Sequence, residues 1–212
     1  MKITKFGHSS LLIEEGGRRI MIDPGKFFTS SNDLRDIDLV VVTHGHFDHF
    51  DIGILKNILK NNPTAEIVTN TEVGAILEGE GIAFTKVEDG GRTVTKGLAI
   101  EGFGNEHIVF GNGFGKCQNT GYFINNKFFY PGDAYVDPGK PVAVLGMPVG
   151  GPWLAKDEAM EYLIKIRPEI CVPVHDGIGS DTTAAMEFSK IIPEKTKTKF
   201  VFLPIGKEVE IN

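Results

Sequence analysis

Apolar and polar positions along the chain fall into two repeating regimes. Residues 2–6 and 10–14 alternate or run apolar, and Glu15-Gly16-Gly17 marks a turn. Arg18-Arg19-Ile20-Met21-Ile22 then reads as a strand, so the pattern predicts an N-terminal antiparallel meander. Asp23-Pro24-Gly25 closes it, and residues 26–32, rich in Phe, Ser and Thr, read as a loop. The run Asp38-Leu39-Val40-Val41-Val42-Thr43 does not alternate, which predicts a strand buried on both faces. A helix starts at about Asp51, a plausible N-cap, and stops at Asn61-Asn62-Pro63. Ala65–Thr69 is a short strand, and Thr71–Leu77 a helix ending before Glu78-Gly79-Glu80-Gly81. Residues 38–80 therefore predict strand-helix-strand-helix, a parallel α/β unit.

The alternation then repeats. Residues 82–88, 92–95 and 98–103 read as short strands punctuated by Gly90-Gly91 and Gly97. Residues 120–125 and 127–130 flank Asn125-Asn126, a hairpin turn because asparagine tolerates positive φ. Beyond residue 141 come a strand (Pro141–Leu145), a helix (Ala155–Ile166), a strand (Glu169–Pro173) and a helix (Asp181–Ile191) with Asp181 near its cap. Lys199–Leu203 and Glu208–Ile211 are late strands. A β-rich stretch followed by an α/β stretch thus occurs twice. That suggests two packed sheets with helices outside, in a single domain over residues 1–212.

Bulk composition narrows the function classes. The chain is 41% hydrophobic and 24% charged, ordinary for a globular protein, and its 26 glycines suit many turns and short strands. A formal net charge of −6 disfavours an extended phosphate-binding surface, and with it long nucleic acids, while a small anionic substrate stays compatible. Cys117 and Cys171 are the only cysteines and form no C-x-x-C, so cytoplasmic residence is the simplest expectation. The N-terminal Met1-Lys2-Ile3-Thr4-Lys5-Phe6 lacks the apolar core of a signal peptide. No stretch approaches the roughly 20 apolar residues of a spanning helix, so no membrane partner is expected. A homo-oligomer is compatible with the sequence.

Candidate chemistry concentrates in Thr43-His44-Gly45-His46-Phe47-Asp48-His49. Half of the chain's 6 histidines fall in this loop, in the pattern H-x-H-x-D-H. Imidazole and carboxylate are standard ligands for Zn²⁺ and related ions. His44 and His46, two apart, point the same way on an extended segment. Asp48 and His49 are adjacent, and a turn there could aim them at a second centre, with two metals roughly 3.5–4 Å apart. His107, Asp133 and His175 each follow a predicted strand, where α/β proteins gather functional side chains. His8 lies in the turn after the first strand. Taken singly, each of these is more often a cap or a turn residue.

Taken together, the residues resemble the metallo-β-lactamase superfamily. The resemblance rests on His44-x-His46-x-Asp48-His49, His107, Pro131-Gly132-Asp133 and Val174-His175 in that order. It is joined by Phe6-Gly7-His8-Ser9-Ser10-Leu11-Leu12-Ile13-Glu14 and Ile20-Met21-Ile22-Asp23-Pro24, which are similar to the branch of ascorbate-6-phosphate lactonase. It implies an α/β fold arranged as a four-layer αββα sandwich with a dinuclear site at one edge. It implies that His44, His46 and His107 hold a first metal, that Asp48, His49 and His175 hold a second, and that Asp133 bridges both. Two divalent ions per chain are expected, Zn²⁺ first, with Mn²⁺ or Fe²⁺ acceptable to the same ligands. A water activated between them would attack an ester, lactone or similar bond of a small molecule. The alternative is a phosphodiesterase or nuclease on the same scaffold. A non-catalytic metal protein fits less well, since structural sites close with fewer, mostly sulfur ligands.

Asp48 and His8 are the catalytic candidates, Asp48 for the leaving-group proton and His8 at the site mouth. Asp23 is placed to orient a ligand histidine. The chain departs from the family pattern in carrying Ala134 after Gly132-Asp133 where Thr or Ser is common, and Asp176-Gly177 after His175 where relatives often carry Tyr. No cysteine stands in the ligand pattern. Gly111-Asn112-Gly113-Phe114-Gly115-Lys116 reads as a hairpin loop able to cover the site, and Trp153 as a pocket residue.

Overall fold

The N-terminal meander forms as β1 (Lys2–Lys5), β2 (Leu11–Glu15) and β3 (Arg18–Ile22), paired antiparallel. These coordinates come from a computed structural model, which describes residues 1–29, 34–109, 111, 113, 116–177 and 183–212. β4 (Leu39–Val41) and β5 (Glu66–Thr69) add in parallel to β3, connected by α1 (Ile52–Asn61). α2 (Thr71–Gly79) leads to β6 (Thr85–Lys86), and β14 (Glu208–Glu210) returns to pair with β1. The sheet order is β14-β1-β2-β3-β4-β5-β6.

The second half repeats this plan. β7 (Arg92–Thr95), β8 (Leu98–Phe103), β9 (Gly121–Ile124) and β10 (Phe128–Tyr130) are antiparallel neighbours. β11 (Val144–Pro148), β12 (Ile170–Val174) and β13 (Lys199–Phe200) follow in parallel, with α3 (Lys156–Ile166) and α4 (Thr183–Lys195) as crossovers. The order is β13-β12-β11-β10-β9-β8-β7.

Strand alternation sorts the apolar side chains into layers. Ile20, Ile22, Leu39, Val41, Tyr122, Ile124, Phe128 and Tyr130 point into the core between the sheets. Met21, Val40 and Ile67 face Leu55, Ile58, Val73 and Leu77 of α1 and α2. Phe123, Phe129, Leu145 and Cys171 face Ala159, Leu163, Phe188 and Ile192 of α3 and α4. The result is the expected αββα sandwich.

Local signals hold at the helix starts. The Asp51 carboxylate accepts from Ile54 N at 2.9 Å, and Asn70 caps α2 by accepting from Val73 N at 3.1 Å. Boundaries moved where pairing overrode the apolar runs. The strand expected over 82–88 contracts to β6, and that over 199–203 to β13. The strand expected over 141–145 lies at Val144–Pro148, because its register is set by β10 and β12 on either side. α4 runs through Pro193 to Lys195 instead of stopping at Ile191; a proline in the last turn forfeits one backbone bond, and Thr196 N still closes on Ile192 O at 2.9 Å. The Asp181 cap, much of the 26–32 loop tip and residues 112, 114 and 115 of the glycine-rich loop lie outside the described residues.

Strand direction places the site. β1, β3 and β4 run parallel to one another in the first sheet, and β8, β10 and β12 do so in the second. His8, Asp23 and the His44–His49 loop follow the C-terminal ends of the first three. His107, Asp133 and His175 follow the C-terminal ends of the second three.

Candidate metal centre

These strand ends converge. Asp133 sits at the middle, with Oδ2 at 3.2 Å from His107 Nε2, 3.1 Å from His175 Nε2 and 3.9 Å from His44 Nε2. Its Oδ1 lies 3.2 Å from His49 Nε2. Asp48 Oδ2 approaches His175 Nε2 at 3.3 Å and His8 Nε2 at 3.4 Å. The His46 ring lies 4.8 Å from that of His44 and 4.6 Å from that of His107, centroid to centroid. Ligand atoms fall into overlapping groups: His44, His107 and Asp133; His49, Asp133 and His175; His8, Asp48 and His175. All the histidines and aspartates singled out by the sequence pattern are thus brought to one place.

Two glycines make the approach possible. A Cβ on Gly25 would lie 2.1 Å from the Asp48 carbonyl oxygen, so the Asp23-Pro24-Gly25 turn can lie flat on the Asp48-His49 backbone only without a side chain. Gly132 has φ +65°, and a Cβ there would meet Asn119 Oδ1 at 2.3 Å. Asn119 anchors the Asp133 turn, accepting from Asp133 N at 3.0 Å and donating to Pro131 O at 2.8 Å. It supports the residue for which Ala134 supplies no hydroxyl. Asp23 and His175 themselves adopt φ of 46° and 53°, a costly conformation for residues with side chains.

The hydrogen bonds around the histidines fix which nitrogen is free. Thr43 Oγ1 donates to Asp23 Oδ2 at 2.6 Å and so accepts from His44 Nδ1–H at 3.0 Å. His107 Nδ1–H donates to the Ile108 carbonyl at 2.5 Å. His49 Nδ1–H donates to Asp23 Oδ2 at 2.7 Å, and His8 Nδ1–H to the Gly177 carbonyl at 2.9 Å. Each arrangement leaves the Nε2 lone pair facing the cluster, as metal ligation requires. Asp23 is thus hydrogen-bonded to His49, one of the candidate ligands. The buried His44 Nε2 and both ring nitrogens of His175 have no hydrogen-bond partner.

Electrostatics point the same way. Asp23 and Asp133 are buried, and buried carboxylates need compensating positive charge. Burial opposes ionisation of Asp133, yet His49 and His175 outweigh it and hold the carboxyl well below its usual range. Burial likewise opposes a charged His175, but Asp133 and Asp48 push it up to about 9. Burial opposes charge on Asp48 too, and His175 and His8 overcome it. With protein groups alone, imidazolium ions must neutralise these carboxylates. Divalent cations would supply the same charge and leave the imidazoles neutral. The donor set, the free buried nitrogens and the charge balance all fit bound metal.

Three contributors carried no sequence signal of their own. Ser9 Oγ lies 3.0 Å from His49 Nε2, while the Ser9 carbonyl accepts from Tyr130 Oη at 2.9 Å across the sandwich. Asn119 is buried 14 residues before the carboxylate it positions. Contrary to the ligand pattern, a cysteine does stand at the cluster: Cys117 groups with His44 and His46. Burial pushes its thiol up to about 12, with Glu72 and Asp133 adding to the effect. Trp153 edges onto His107 and His175 at centroid distances of 5.7 and 5.4 Å. Clefts of about 520 and 680 Å³ flank His107.

Known proteins resemble this chain in sequence and in fold. Protein Rv0786c of Mycobacterium tuberculosis is 31% identical over 209 residues, covering 96% of this chain and 97% of that protein. A UPF0173 metal-dependent hydrolase of Methanospirillum hungatei is 29% identical over 238 residues, covering 100% and 99%. Igni18, a metallo hydrolase from the archaeon Ignicoccus hospitalis, superposes with a TM-score of 0.79 at 25% identity, covering 100% of this chain and 99% of its own. Residues 2–175 match the beta-lactamase superfamily domain. With this match over most of its length and a metallo-β-lactamase fold, the chain belongs to the beta-lactamase superfamily.

Proposed function

We propose that this chain is a dinuclear metal-dependent hydrolase acting on an ester, lactone or similar bond of a small molecule. The observation that carries it is the double membership of Asp133, whose carboxylate belongs both to a cluster with His44 and His107 and to a cluster with His49 and His175. A carboxylate so placed suits two ions. His44, His46 and His107 would hold one, Asp48, His49 and His175 the other, and Asp133 would bridge them. Bound divalent ions would lower the pKa of a water and polarise the scissile group.

The protein's own groups supply the rest. Asp23 and Thr43 orient His49 and His44, and Ile108 orients His107. Asp48 is anionic in this setting, so it starts as a proton acceptor. Asp48 would accept the proton of the attacking water and return it to the leaving group, with the His8 Nε2 lone pair, 3.4 Å from Asp48 Oδ2, placed to share that proton in between. Trp153 and Tyr135, with centroids 6.2 Å apart, form an apolar face beside the ligand cluster, and Phe27 packs on His8 at 5.7 Å. That face and clefts of a few hundred cubic ångströms suit a small substrate. The nitrogen and oxygen donors accept Zn²⁺ first, with Mn²⁺ or Fe²⁺ as alternatives. Cys117 and Cys171 are both unpaired, which suits a reducing compartment such as the cytoplasm.

A panel of carboxylic esters, sugar-phosphate lactones, amides and phosphodiesters, run on metal-reconstituted protein, tests the reading. Expected are two metals per chain, hydrolysis of one small-molecule class, and joint loss of both metals and activity in Asp133→Ala. Cleavage of phosphodiesters alone would favour the phosphodiesterase alternative. A single inert metal would sink the hydrolase reading.

A further inference from the structure

Cys117 is not part of the H-x-H-x-D-H constellation, and its place beside His44 and His46 follows from the fold. Its carbonyl accepts from His107 N at 3.1 Å, and two residues on Asn119 N donates to Asn105 O at 3.3 Å. Residues 117–119 and 105–107 thus form a short paired ribbon. Gln118 locks that ribbon to α2, its N donating to Glu72 Oε2 at 2.6 Å and its side-chain oxygen accepting from Glu72 N at 3.0 Å. Gln118 Nε2 also donates to Glu88 Oε1 at 2.9 Å. Held this way, Cys117 Sγ and one ligand nitrogen each of His44 and His46 lie within 4.8 Å of one another. His44 is fully buried, and its Nε2 makes no hydrogen bond.

We propose that Cys117 is a thiolate ligand of the metal held by His44 and His46. This rests on the dinuclear reading above and adds to it a soft donor. Binding would form a metal–sulfur bond, break the S–H bond and release the proton to solvent. A sulfur ligand would bias this centre toward Zn²⁺ and Fe²⁺ and away from Mn²⁺. The other cysteine, Cys171, is buried under α3 and α4 and serves as an internal reference.

Cobalt substitution tests the assignment. Apo protein titrated with Co²⁺ is expected to develop visible d–d bands together with an intense near-ultraviolet thiolate-to-cobalt charge-transfer band. Cys117→Ser should keep the visible bands, lose the charge-transfer band and bind Zn²⁺ roughly 10–100-fold more weakly, the range seen when even an outer partner of a ligand is lost. A second readout uses the unmodified chain. In prolonged incubation at alkaline pH, which offsets the raised thiol pKa, iodoacetamide should alkylate half-buried Cys117 in apo protein, stoichiometric Zn²⁺ should block it, and Cys171 should react in neither. Visible bands without charge transfer, or alkylation unaffected by Zn²⁺, overturn the ligand role and leave the metal reading standing. Absence of any cobalt band overturns both.

Discussion

At the scale of single residues, the site includes four imidazoles, His8, His44, His49 and His107, whose tautomers are settled by neighbours. Asp23 is the clearest case. It accepts from His49 Nδ1–H, from Thr43 N at 2.8 Å and from the Thr43 hydroxyl, so one carboxylate orients two histidines. Asp23→Asn keeps the shape but cannot accept every one of these bonds. Zinc affinity is expected to fall roughly 10–100-fold with little change in fold, as measured by competition with a chromophoric chelator. Unchanged affinity would mean that His49 orients itself. The histidines and aspartates of this site were readable from residue type and spacing. Thr43 was readable only as the end of a strand, and nothing local marks Asn119 or Cys117. Their roles arise from chain segments that meet through space, so neither propensity nor pattern carries them.

At the scale of elements, caps and turns acted locally and could be foreseen. Asp51 opens α1 directly behind the His44–His49 loop, and Asn125-Asn126 turn with φ of 51° and 52° as the hairpin demands. Strand ends were less legible, since β6, β11 and β13 take their limits from the partners they pair with. Glu88 shows an element-level coupling that sequence does not display. It accepts from Thr71 N at the start of α2 at 3.0 Å and from Gln118, tying the helix to the 117–119 ribbon. Those donors hold its carboxyl at about 2, against an ordinary value of 4.5. A depressed carboxyl stabilises the fold above its ordinary range, and that contribution fades as pH falls from 4.5 toward about 2. Glu88→Gln should flatten the stability-versus-pH curve in this window, read by urea denaturation at stepped pH. An identical slope in the variant would show that the clamp contributes nothing.

At the scale of the whole molecule, the first sheet brings four of the seven candidate ligands and the second brings three, and the two must stay in register. Lys5 at the end of β1 reaches across to the second sheet, pairing with Asp176 and donating to Pro173 O at 3.2 Å. Both side chains are almost fully buried, and Asp176 adjoins His175. Removing one partner of a buried pair strands the other. Lys5→Met should cost about 3–5 kcal/mol, while Lys5→Met with Asp176→Leu should recover much of it. Equal losses in the single and double variants, measured by denaturant unfolding, would refute the pairing argument. The doubled β-then-α/β pattern made the sandwich legible, because apolar alternation reports the layer each side chain joins. This ion pair was invisible, since Lys5 and Asp176 stand at opposite ends of the chain.

The ordering of the sheets also bears on how the protein behaves in company. Each sheet is open, so the described residues present four strand borders: β14 and β6 on one, β13 and β7 on the other. These strands are 3, 2, 2 and 4 residues long, and every one carries a lysine, arginine or glutamate. Short, charged borders are poor templates for a foreign strand. Growth of the sheets from one copy into the next is therefore discouraged at every border. Concentrated protein should resist fibrillar association whether or not metal is added.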